Sequence, residues 1–208
     1  MTYPETVRYL LSLGNEVKGA RLGLERIEAL LGKLGRPERA FRSVHIAGTN
    51  GKGSTAAMVE AGLRAAGFRT GLFTSPHLVR INERIRVAGQ EISDVDFCDA
   101  FEQVSAAIEQ LLAAEAMDSH PTYFECVTAM GFCHFRRAGV ECAVVEVGLG
   151  GRLDATNVVR PEVTVITPID FDHETYLGKG AAMIAAEKAG ILQAGATAVF
   201  APQCPEAR

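Results

Sequence analysis

The sequence has no Cys-x-x-Cys pair, no apolar run near the roughly 18 residues of a membrane span, and no excess of basic residues. Its five cysteines are odd in number, which favours reduced thiols in a cytoplasmic protein over a disulfide framework. The N-terminus shows no basic region followed by an apolar stretch, so it does not resemble a secretory signal. With 21 Lys and Arg against 25 Asp and Glu, the net charge of −4 argues against nucleic-acid or anionic-membrane partners.

The composition predicts a folded globular chain. Hydrophobic residues make up 48% of it and charged residues 22%, which argues against disorder. A chain of 208 residues buries roughly 70% of its unfolded surface, so it needs no disulfide or metal to hold a core. This length predicts one large domain, or one domain and part of another.

Four short apolar runs predict buried strands, and each is followed by small or polar residues. The runs lie at residues 42–47, 70–73, 143–147 and 163–167. Helical patterns lie between and around them, at residues 5–13, 24–34, 55–66, 94–117, 122–137 and 181–190. This alternation indicates a doubly wound α/β fold with a mostly parallel sheet. Because ligands bind at the carboxyl ends of such strands, the four clusters that follow the strands are the candidate site.

The first cluster is a glycine-rich loop, Gly-Thr-Asn-Gly-Lys-Gly-Ser, over residues 48–54. A helix that starts after such a loop presents free backbone N–H groups and its positive dipole end to an anion. Lys52 adds a cation and Ser54 a hydroxyl. The strict Walker spacing is not met, because position 46 is Ile and Gly53 follows the lysine. The loop therefore predicts phosphate binding, with an ordinary glycine-rich turn as the alternative.

The second cluster contains Glu146, the one charged residue of its apolar run. A buried carboxylate costs several kcal/mol unless it is paired or binds a metal. An ion pair with Arg152 is one interpretation. A Mg²⁺ ion beside a triphosphate fits better, because Mg²⁺ takes one or two carboxylates together with phosphate oxygens.

Histidines and a second glycine turn require separate interpretation. His173 could cap a loop or donate to a carboxylate, but beside a Mg²⁺–ATP site it is a candidate ligand. We expect His45, which lies in the first strand, to pack in the core. The turn at residues 148–153 resembles a dinucleotide fingerprint, yet Leu153 is too large for its last position and no helical pattern follows. A nicotinamide or flavin site is therefore not predicted.

Together these motifs resemble the folylpolyglutamate synthase/dihydrofolate synthase branch of the Mur ligase superfamily, which are ATP-dependent amide-forming enzymes. The glycine loop is shared with peptidoglycan Mur ligases and cyanophycin synthetase. Thr-Ser-Pro-His-Leu at residues 74–78 and Gly-Leu-Gly-Gly-Arg-Leu-Asp-Ala-Thr-Asn at residues 148–157 are more specific to the folate branch. The resemblance implies that residues 1–208 form most of a P-loop ATP-binding domain, truncated before a C-terminal domain for glutamate and nucleotide. We expect such a fragment to be inactive alone.

The resemblance also implies roles for individual residues. Those expected around the ATP phosphates are Gly48, Thr49, Asn50, Gly51, Lys52, Gly53 and Ser54. Ser75 and Glu146 would hold one Mg²⁺ ion and His173 a second. Lys52, His173 and Lys188 would be catalytic, with Lys188 carbamylated by CO₂. The residues expected at the pterin are Leu22, Gly23, Leu24, Thr122, Phe124 and Asp154, under a mobile loop at residues 82–85. Asp170 and Phe171 depart from the small-residue and apolar pair of the family pattern, and Glu174 replaces the commoner Thr.

The reaction implied is glutamate addition to dihydropteroate or to the γ-carboxyl of reduced folates through an acyl phosphate. The implied ligands are ATP, two Mg²⁺ ions, L-glutamate and the folate substrate, with a monomer favoured and the oligomeric state open. Two alternatives stay open at this point. The chain could be another Mur-type ligase that acts on a cell-wall precursor or a polymer, or a P-loop module that binds nucleotide without catalysis.

Overall fold

The computed structural model describes residues 1–14, 23–171 and 180–207. The α-helices in these ranges are α1 (Tyr3–Ser12), α2 (Glu25–Lys33), α3 (Lys52–Ala65), α4 (Asp94–Ala113), α5 (Tyr123–Arg137) and α6 (Ala181–Ala189). The strands are β1 (Arg42–Ala47), β2 (Thr70–Phe73), β3 (Ile85–Val87), β4 (Gln90–Glu91), β5 (Cys142–Glu146), β6 (Val163–Ile166) and β7 (Thr197–Phe200). Short 3₁₀ helices span Pro37–Arg39, Ile81–Arg84, Ala155–Val158 and Pro205–Ala207.

The strands form one seven-stranded sheet in the order β4-β3-β2-β5-β1-β6-β7. Strands β2, β5, β1, β6 and β7 are parallel, and β3 and β4 form an antiparallel edge. The predicted mostly parallel α/β fold is confirmed. From β1 the chain runs to β2 on one side, whereas β5 is followed by β6 on the other side of β1. The connections therefore diverge at the carboxyl end of β1, where doubly wound sheets bind ligands.

The two faces of the sheet are covered by different helices, as the alternation of side chains along β5 shows. Ala143 and Val145 belong to the large core that α1, α2, α4 and α5 contribute to. Val144, between them, packs with Ala56 of α3 in a separate apolar cluster on the other face. Because successive strand residues point to opposite faces, a run with apolar residues at every position marks a strand covered on both sides.

Local chemistry explains where the helices begin. At the start of α5, Oγ1 of Thr122 accepts from the N–H of Glu125 at 3.3 Å, and the Glu125 carboxylate accepts from the N–H of Thr122 at 2.6 Å. These two reciprocal hydrogen bonds form a capping box. Helix α3 starts at Lys52, three residues before the predicted position, because Gly51 takes the left-handed conformation (φ 82°) and turns the chain into the helix. None of the helices in the described ranges is long and apolar enough to cross a bilayer.

Candidate functional site

The glycine loop leads from the carboxyl end of β1 into the N-terminus of α3. A Cβ atom at Gly48 would lie 1.8 Å from Oγ1 of Thr167, so only glycine allows this close approach. Within the described residues, no acceptor bonds the backbone N–H groups of Gly53 and Ser54 in the first turn of α3. These N–H groups, together with the helix dipole, form the environment that binds phosphate in other proteins.

The first half of the loop is held by the turn that follows β6. The backbone N–H groups of Thr49 and Asn50 both donate to the carbonyl oxygen of Pro168, at 3.0 and 3.1 Å. Oγ1 of Thr49 donates to the carbonyl oxygen of Asp170 at 3.1 Å, and Nδ2 of Asn50 lies 3.5 Å from the Asp170 carboxylate. The two halves of the loop therefore differ in their hydrogen bonding. Residues 49 and 50 are bonded to the turn after β6, whereas the N–H groups at the start of α3 are available to bind an anion.

Lys52 is half-buried at the first position of α3. Its Nζ donates to the carbonyl oxygen of Thr49 at 3.3 Å, so the side chain folds back over the loop. Burial raises the pKa of Glu146, and the positive charge of this ammonium group partly opposes that rise. A cation at this position can neutralise charge on a phosphate held by the loop.

Glu146, at the carboxyl end of β5, is only 3% exposed. Burial raises the pKa of its carboxyl group, and a hydrogen bond from the Ser75 N–H and the charges of Lys52 and Arg84 partly oppose that rise. Oε2 accepts the Ser75 N–H at 3.1 Å, and a Cβ at Gly53 would lie 3.4 Å from the same oxygen. The carboxylate therefore lies directly against the start of α3 and against the loop after β2.

Glu146 and Ser75 together fit a Mg²⁺ ion. The alternative of an ion pair between Glu146 and Arg152 is wrong, because Arg152 pairs with Glu187 at 2.8 Å. The described residues contain no group of three or more His, Cys, Asp or Glu side chains that could hold a metal by themselves. Mg²⁺ does not need such a group, since it commonly takes one or two protein carboxylates and completes its shell with phosphate oxygens and water.

Arg84 is a residue that the sequence reasoning did not single out. It is 2% exposed, its Nε donates to Nδ1 of His77 at 2.8 Å, and its guanidinium lies 5.5 Å from the centre of the Tyr123 ring. The loop predicted at residues 82–85 is wrong, because residues 81–84 form a 3₁₀ helix and Ile85 begins β3. In the sequence, only the Asn-Glu-Arg-Ile run at residues 82–85 pointed to this region. That run could not show that Arg84 is buried, because its burial depends on tertiary contacts.

Lys188, near the end of α6, is 4% exposed, and its Nζ donates to the carbonyl oxygen of Gly48 at 2.8 Å. A Cβ at Gly151 would lie 2.7 Å from the carbonyl oxygen of Glu187 and 3.0 Å from Cα of Lys188. The glycine turn after β5 therefore packs directly on the last turn of α6. These contacts bring Lys188 to the glycine loop, while its carbamylation and catalytic role stay predictions.

The predicted pterin residues come from elements that pack on one another. Phe124 is buried on α5, and a Cβ at Gly148 would lie 2.5 Å from its ring. Glu125, next along α5, pairs with Arg26 of α2 at 3.1 Å, which ties the beginnings of the two helices together. Helix α2 and helix α5 both contact the 3₁₀ helix Ala155–Val158, which Asp154 caps. Gly23 and Leu24 immediately precede α2, and Thr122 caps α5.

Asp154 organises the turn that carries it. Its Oδ2 accepts from the N–H of Leu149 at 2.8 Å, and its Oδ1 accepts from the N–H of Thr156 at 3.0 Å and from the Thr156 hydroxyl. Burial raises the pKa of this carboxyl group. Nε2 of His45 lies 2.9 Å from the same hydroxyl, so β1 supports the turn from the core. The role of Asp154 at a pterin stays a prediction.

His45 is fully buried, as predicted, and burial lowers its pKa to about 3. His173 and Leu22 lie outside the described residues, together with the predicted second metal position. Sequence reasoning also missed the hydrogen bonds of Pro168, because a backbone carbonyl carries no signal in a side-chain motif.

Comparison with known proteins gives consistent results. The sequence model described as the Mur ligase middle domain matches residues 46–201. A dihydrofolate synthase/folylpolyglutamate synthase of Bacillus subtilis is 45% identical over 190 residues, 91% of this chain and 44% of the relative. A folylpolyglutamate synthase of Lacticaseibacillus casei is 42% identical over 207 residues, 100% of this chain and 48% of the relative.

Solved structures agree with these relatives. A structure titled FPGS-AMPPCP-folate complex has a TM-score of 0.92 at 41% identity, and the match covers 100% of this chain and 50% of that one. A structure of E.coli FolC in complex with DHPP and ADP has a TM-score of 0.87 at 38% identity, covering 96% and 46%. The chain thus spans about half the length of the proteins that it matches.

Proposed function

This chain belongs to the Mur ligase family, and we propose its function on that basis. We propose that it is an ATP-dependent acid–amino-acid ligase that adds L-glutamate to dihydropteroate or to the γ-carboxyl of folates. The relatives that match nearly all of this chain carry the names of these two synthases. Because the match spans about half of those relatives, residues 1–208 are proposed to form most of their ATP-binding domain.

One observation carries the proposal, namely that the ends of three strands converge on the glycine loop. Glu146 ends β5, and its Oε2 accepts from the N–H of Ser75, which follows β2, at 3.1 Å. The loop after β1 supplies Gly53, whose Cα faces the same carboxylate. A buried carboxylate, a lysine and a free helix N-terminus in one crevice suit a metal-bound triphosphate.

In this proposal the β- and γ-phosphates of ATP bind to the N–H groups at the start of α3, beside the hydroxyl of Ser54. Lys52 releases the Thr49 carbonyl and contacts the transferring phosphate. Glu146 and Ser75 would hold Mg²⁺, which would supply positive charge to neutralise the phosphate oxygens. Such transfers depend mainly on positioning and on electrostatic stabilisation.

The chemistry is acyl activation followed by aminolysis. An oxygen of the substrate carboxylate forms a bond to the γ-phosphorus while the bond to the bridging oxygen breaks, which gives an acyl phosphate and ADP. The unprotonated amine of L-glutamate then attacks the acyl carbon, phosphate leaves with the C–O bonding electrons, and the amine loses a proton. The products are an amide, ADP and inorganic phosphate.

The pterin position is proposed at the meeting of α2, α5 and the turn that Asp154 caps. Phe124, Leu24 and Thr122 border this region, at the starts of α5 and α2. The solved FPGS-AMPPCP-folate complex, at 41% identity, supports a folate ligand in this fold. Lys188 is proposed to form a carbamate when its unprotonated amine adds to CO₂ and loses a proton.

Calorimetry and a substrate panel test the proposal together. Titration of the purified chain with AMPPCP should show binding that strengthens at least about tenfold when Mg²⁺ is present, a gain equal to about 1.4 kcal/mol. Binding of dihydropteroate, tetrahydrofolate and a muramyl nucleotide to the chain should then be compared, and phosphate release with each of them and L-glutamate should be measured in the chain and in a full-length relative. Binding of a pteroate but not of the muramyl nucleotide supports the folate assignment.

Three outcomes contradict parts of this proposal. Equal nucleotide affinity with and without Mg²⁺ would contradict the metal site at Glu146. Binding of the muramyl nucleotide alone would indicate a cell-wall ligase. Nucleotide binding with no response to any carboxylate substrate, in the chain and in a full-length relative treated alike, would favour a nucleotide-binding module without catalysis.

A further inference from the structure

We infer that Gln203 is a positioning residue for the phosphate-binding loop and acts on it through the turn that follows β6. The inference rests on the proposed function, since it assumes that residues 48–54 bind phosphate. Neither the loop motif nor the family resemblance points to this residue, which lies three positions after the end of β7.

The amide of Gln203 bonds two backbone groups of the turn at once. Its Oε1 accepts from the N–H of Ile169 at 2.9 Å, and its Nε2 donates to the carbonyl oxygen of Thr167 at 3.1 Å. The last backbone bond between β7 and β6 runs from the N–H of Ala201 to the carbonyl oxygen of Ile166 at 2.9 Å. The side chain of Gln203 therefore continues the pairing of β7 with the neighbouring chain beyond the end of the strand.

The two groups that Gln203 bonds belong to the two peptide planes on either side of Pro168. The N–H of Ile169 shares a rigid plane with the carbonyl oxygen of Pro168, because a peptide bond is planar. That carbonyl oxygen is the one that accepts from the N–H groups of Thr49 and Asn50, at 3.0 and 3.1 Å. A hydrogen bond to the N–H of Ile169 therefore sets the direction of the carbonyl that anchors the glycine loop.

Pro168 makes the geometry of this turn depend more strongly on Gln203. Pro168 has no N–H, so the turn has fewer backbone donors of its own to hold it in place. The N–H of Thr167 donates to the carbonyl oxygen of Ala47 at 2.8 Å, which fixes the beginning of the turn to β1. Gln203 fixes the other side. Loss of its amide would leave the Pro168–Ile169 plane held only through its carbonyl oxygen, by the N–H groups of the loop itself, while the sheet stays paired.

Hydrogen exchange measured by NMR on the nucleotide-free chain tests this directly. In Gln203→Ala, the amides of Thr49 and Asn50 should exchange about tenfold faster, because their acceptor is no longer held, while β5 amides stay unchanged. Gln193→Ala is the matched control. That glutamine is also half-buried and donates from Nε2 to a backbone carbonyl, that of Val159, at 3.0 Å.

Affinity for Mg²⁺–AMPPCP gives the second readout. Gln203→Ala should weaken it about five- to thirtyfold, the factor that corresponds to losing one or two ordinary hydrogen bonds. Gln193→Ala should not change it. Gln203→Glu is a second variant, needed in case Gln203→Ala does not fold. Its carboxylate keeps the acceptor for the N–H of Ile169 and loses only the donor to Thr167. Its affinity should recover as the pH is lowered and the carboxyl group, once protonated, can donate to Thr167.

The possible outcomes distinguish the positioning role of Gln203 from the proposed function of the chain. Unchanged exchange at Thr49 and Asn50 in Gln203→Ala, or faster exchange spread equally over β5 and β1, would overturn the positioning role. Failure of the wild-type chain to bind nucleotide would overturn the proposed function, and the exchange comparison would still decide whether Gln203 holds the loop. If Gln203→Ala does not fold and Gln203→Glu shows no pH-dependent recovery, the inference is likewise overturned.

Discussion

The N–H of Ser75 donates a 3.1 Å hydrogen bond to Oε2 of Glu146, across 71 residues of sequence. Their strands are parallel neighbours, with Phe73 paired to Val145 in register. Parallel strands that are in register end at the same edge of the sheet, so the residues after each strand meet there. The hydrogen bond brings together two residues that the family resemblance assigns to one Mg²⁺ ion. Glu146 also lies against the start of α3.

Replacement of Glu146 by Gln should separate stability from metal binding. Burial raises the pKa of this carboxyl group, so the folded chain is less stable when the group is charged. In Glu146→Gln the melting temperature of the ligand-free chain at pH 7 should rise, because the variant no longer buries a charge in the folded state. Calorimetry should show that Mg²⁺ no longer strengthens nucleotide binding.

The pH dependence of that difference provides the control. Wild-type stability recovers as the pH falls and Glu146 takes up a proton, whereas the amide has no proton to gain. The advantage of Glu146→Gln should therefore shrink as the pH is lowered from 7 in thermal scans. A variant that is less stable than wild type at pH 7 would show that the charged carboxylate contributes to the fold.

Replacement of Lys52 by Ala should weaken nucleotide binding strongly with little effect on the fold. Lys52 is half-buried and makes one hydrogen bond, to the carbonyl oxygen of Thr49. Losing a charge beside a bound triphosphate should weaken AMPPCP binding at least about thirtyfold, or 2 kcal/mol, while the melting temperature changes by only a few degrees. Lys33→Ala, at the exposed end of α2, should change neither quantity. Near-normal affinity in Lys52→Ala would contradict the phosphate site.

Two glycine substitutions should differ sharply in urea unfolding. A methyl group at Gly48 would overlap Oγ1 of Thr167, 1.8 Å away, so Gly48→Ala should cost about 3 kcal/mol or more and deform the loop. Gly139 also has a positive φ, 66°, but no heavy atom lies within 4 Å of its added Cβ. Gly139→Ala should therefore cost only about 1–2 kcal/mol of backbone strain. Equal losses would show that the Thr167 contact yields easily.

His45 should make the chain sensitive to acid. Burial lowers its pKa from 6.5 to about 3, so between these values the unfolded chain binds a proton that the folded chain does not. Stability should therefore fall as the pH decreases below 6.5, by roughly 2 kcal/mol at pH 5 from this group alone. His45→Gln should remove that part of the slope in urea titrations at several pH values. An unchanged slope would show that another group causes it.

Local sequence determined several features because their causes are local. The capping box of α5 needs only Thr122 and Glu125 three residues apart, and the helix predicted from residue 122 begins there. The buried strands were visible in their apolar runs. The edge strand β4 was not, since Gln90 and Glu91 are exposed and carry no apolar signal. The end of α4 was also misplaced, at Met117 instead of Ala113, because the chain turns at Glu115 with a positive φ of 52°.

The sequence by itself determined the chemistry of the site: a glycine loop with one lysine, and a lone carboxylate inside an apolar strand. Tertiary structure decided which groups serve which purpose. Only folding shows that Arg152 pairs with Glu187 and leaves Glu146 at the loop, and that Pro168 holds the loop's first N–H groups. Motifs record side chains at fixed spacing, whereas these relationships depend on backbone atoms and distant residues that meet only when parallel strands align.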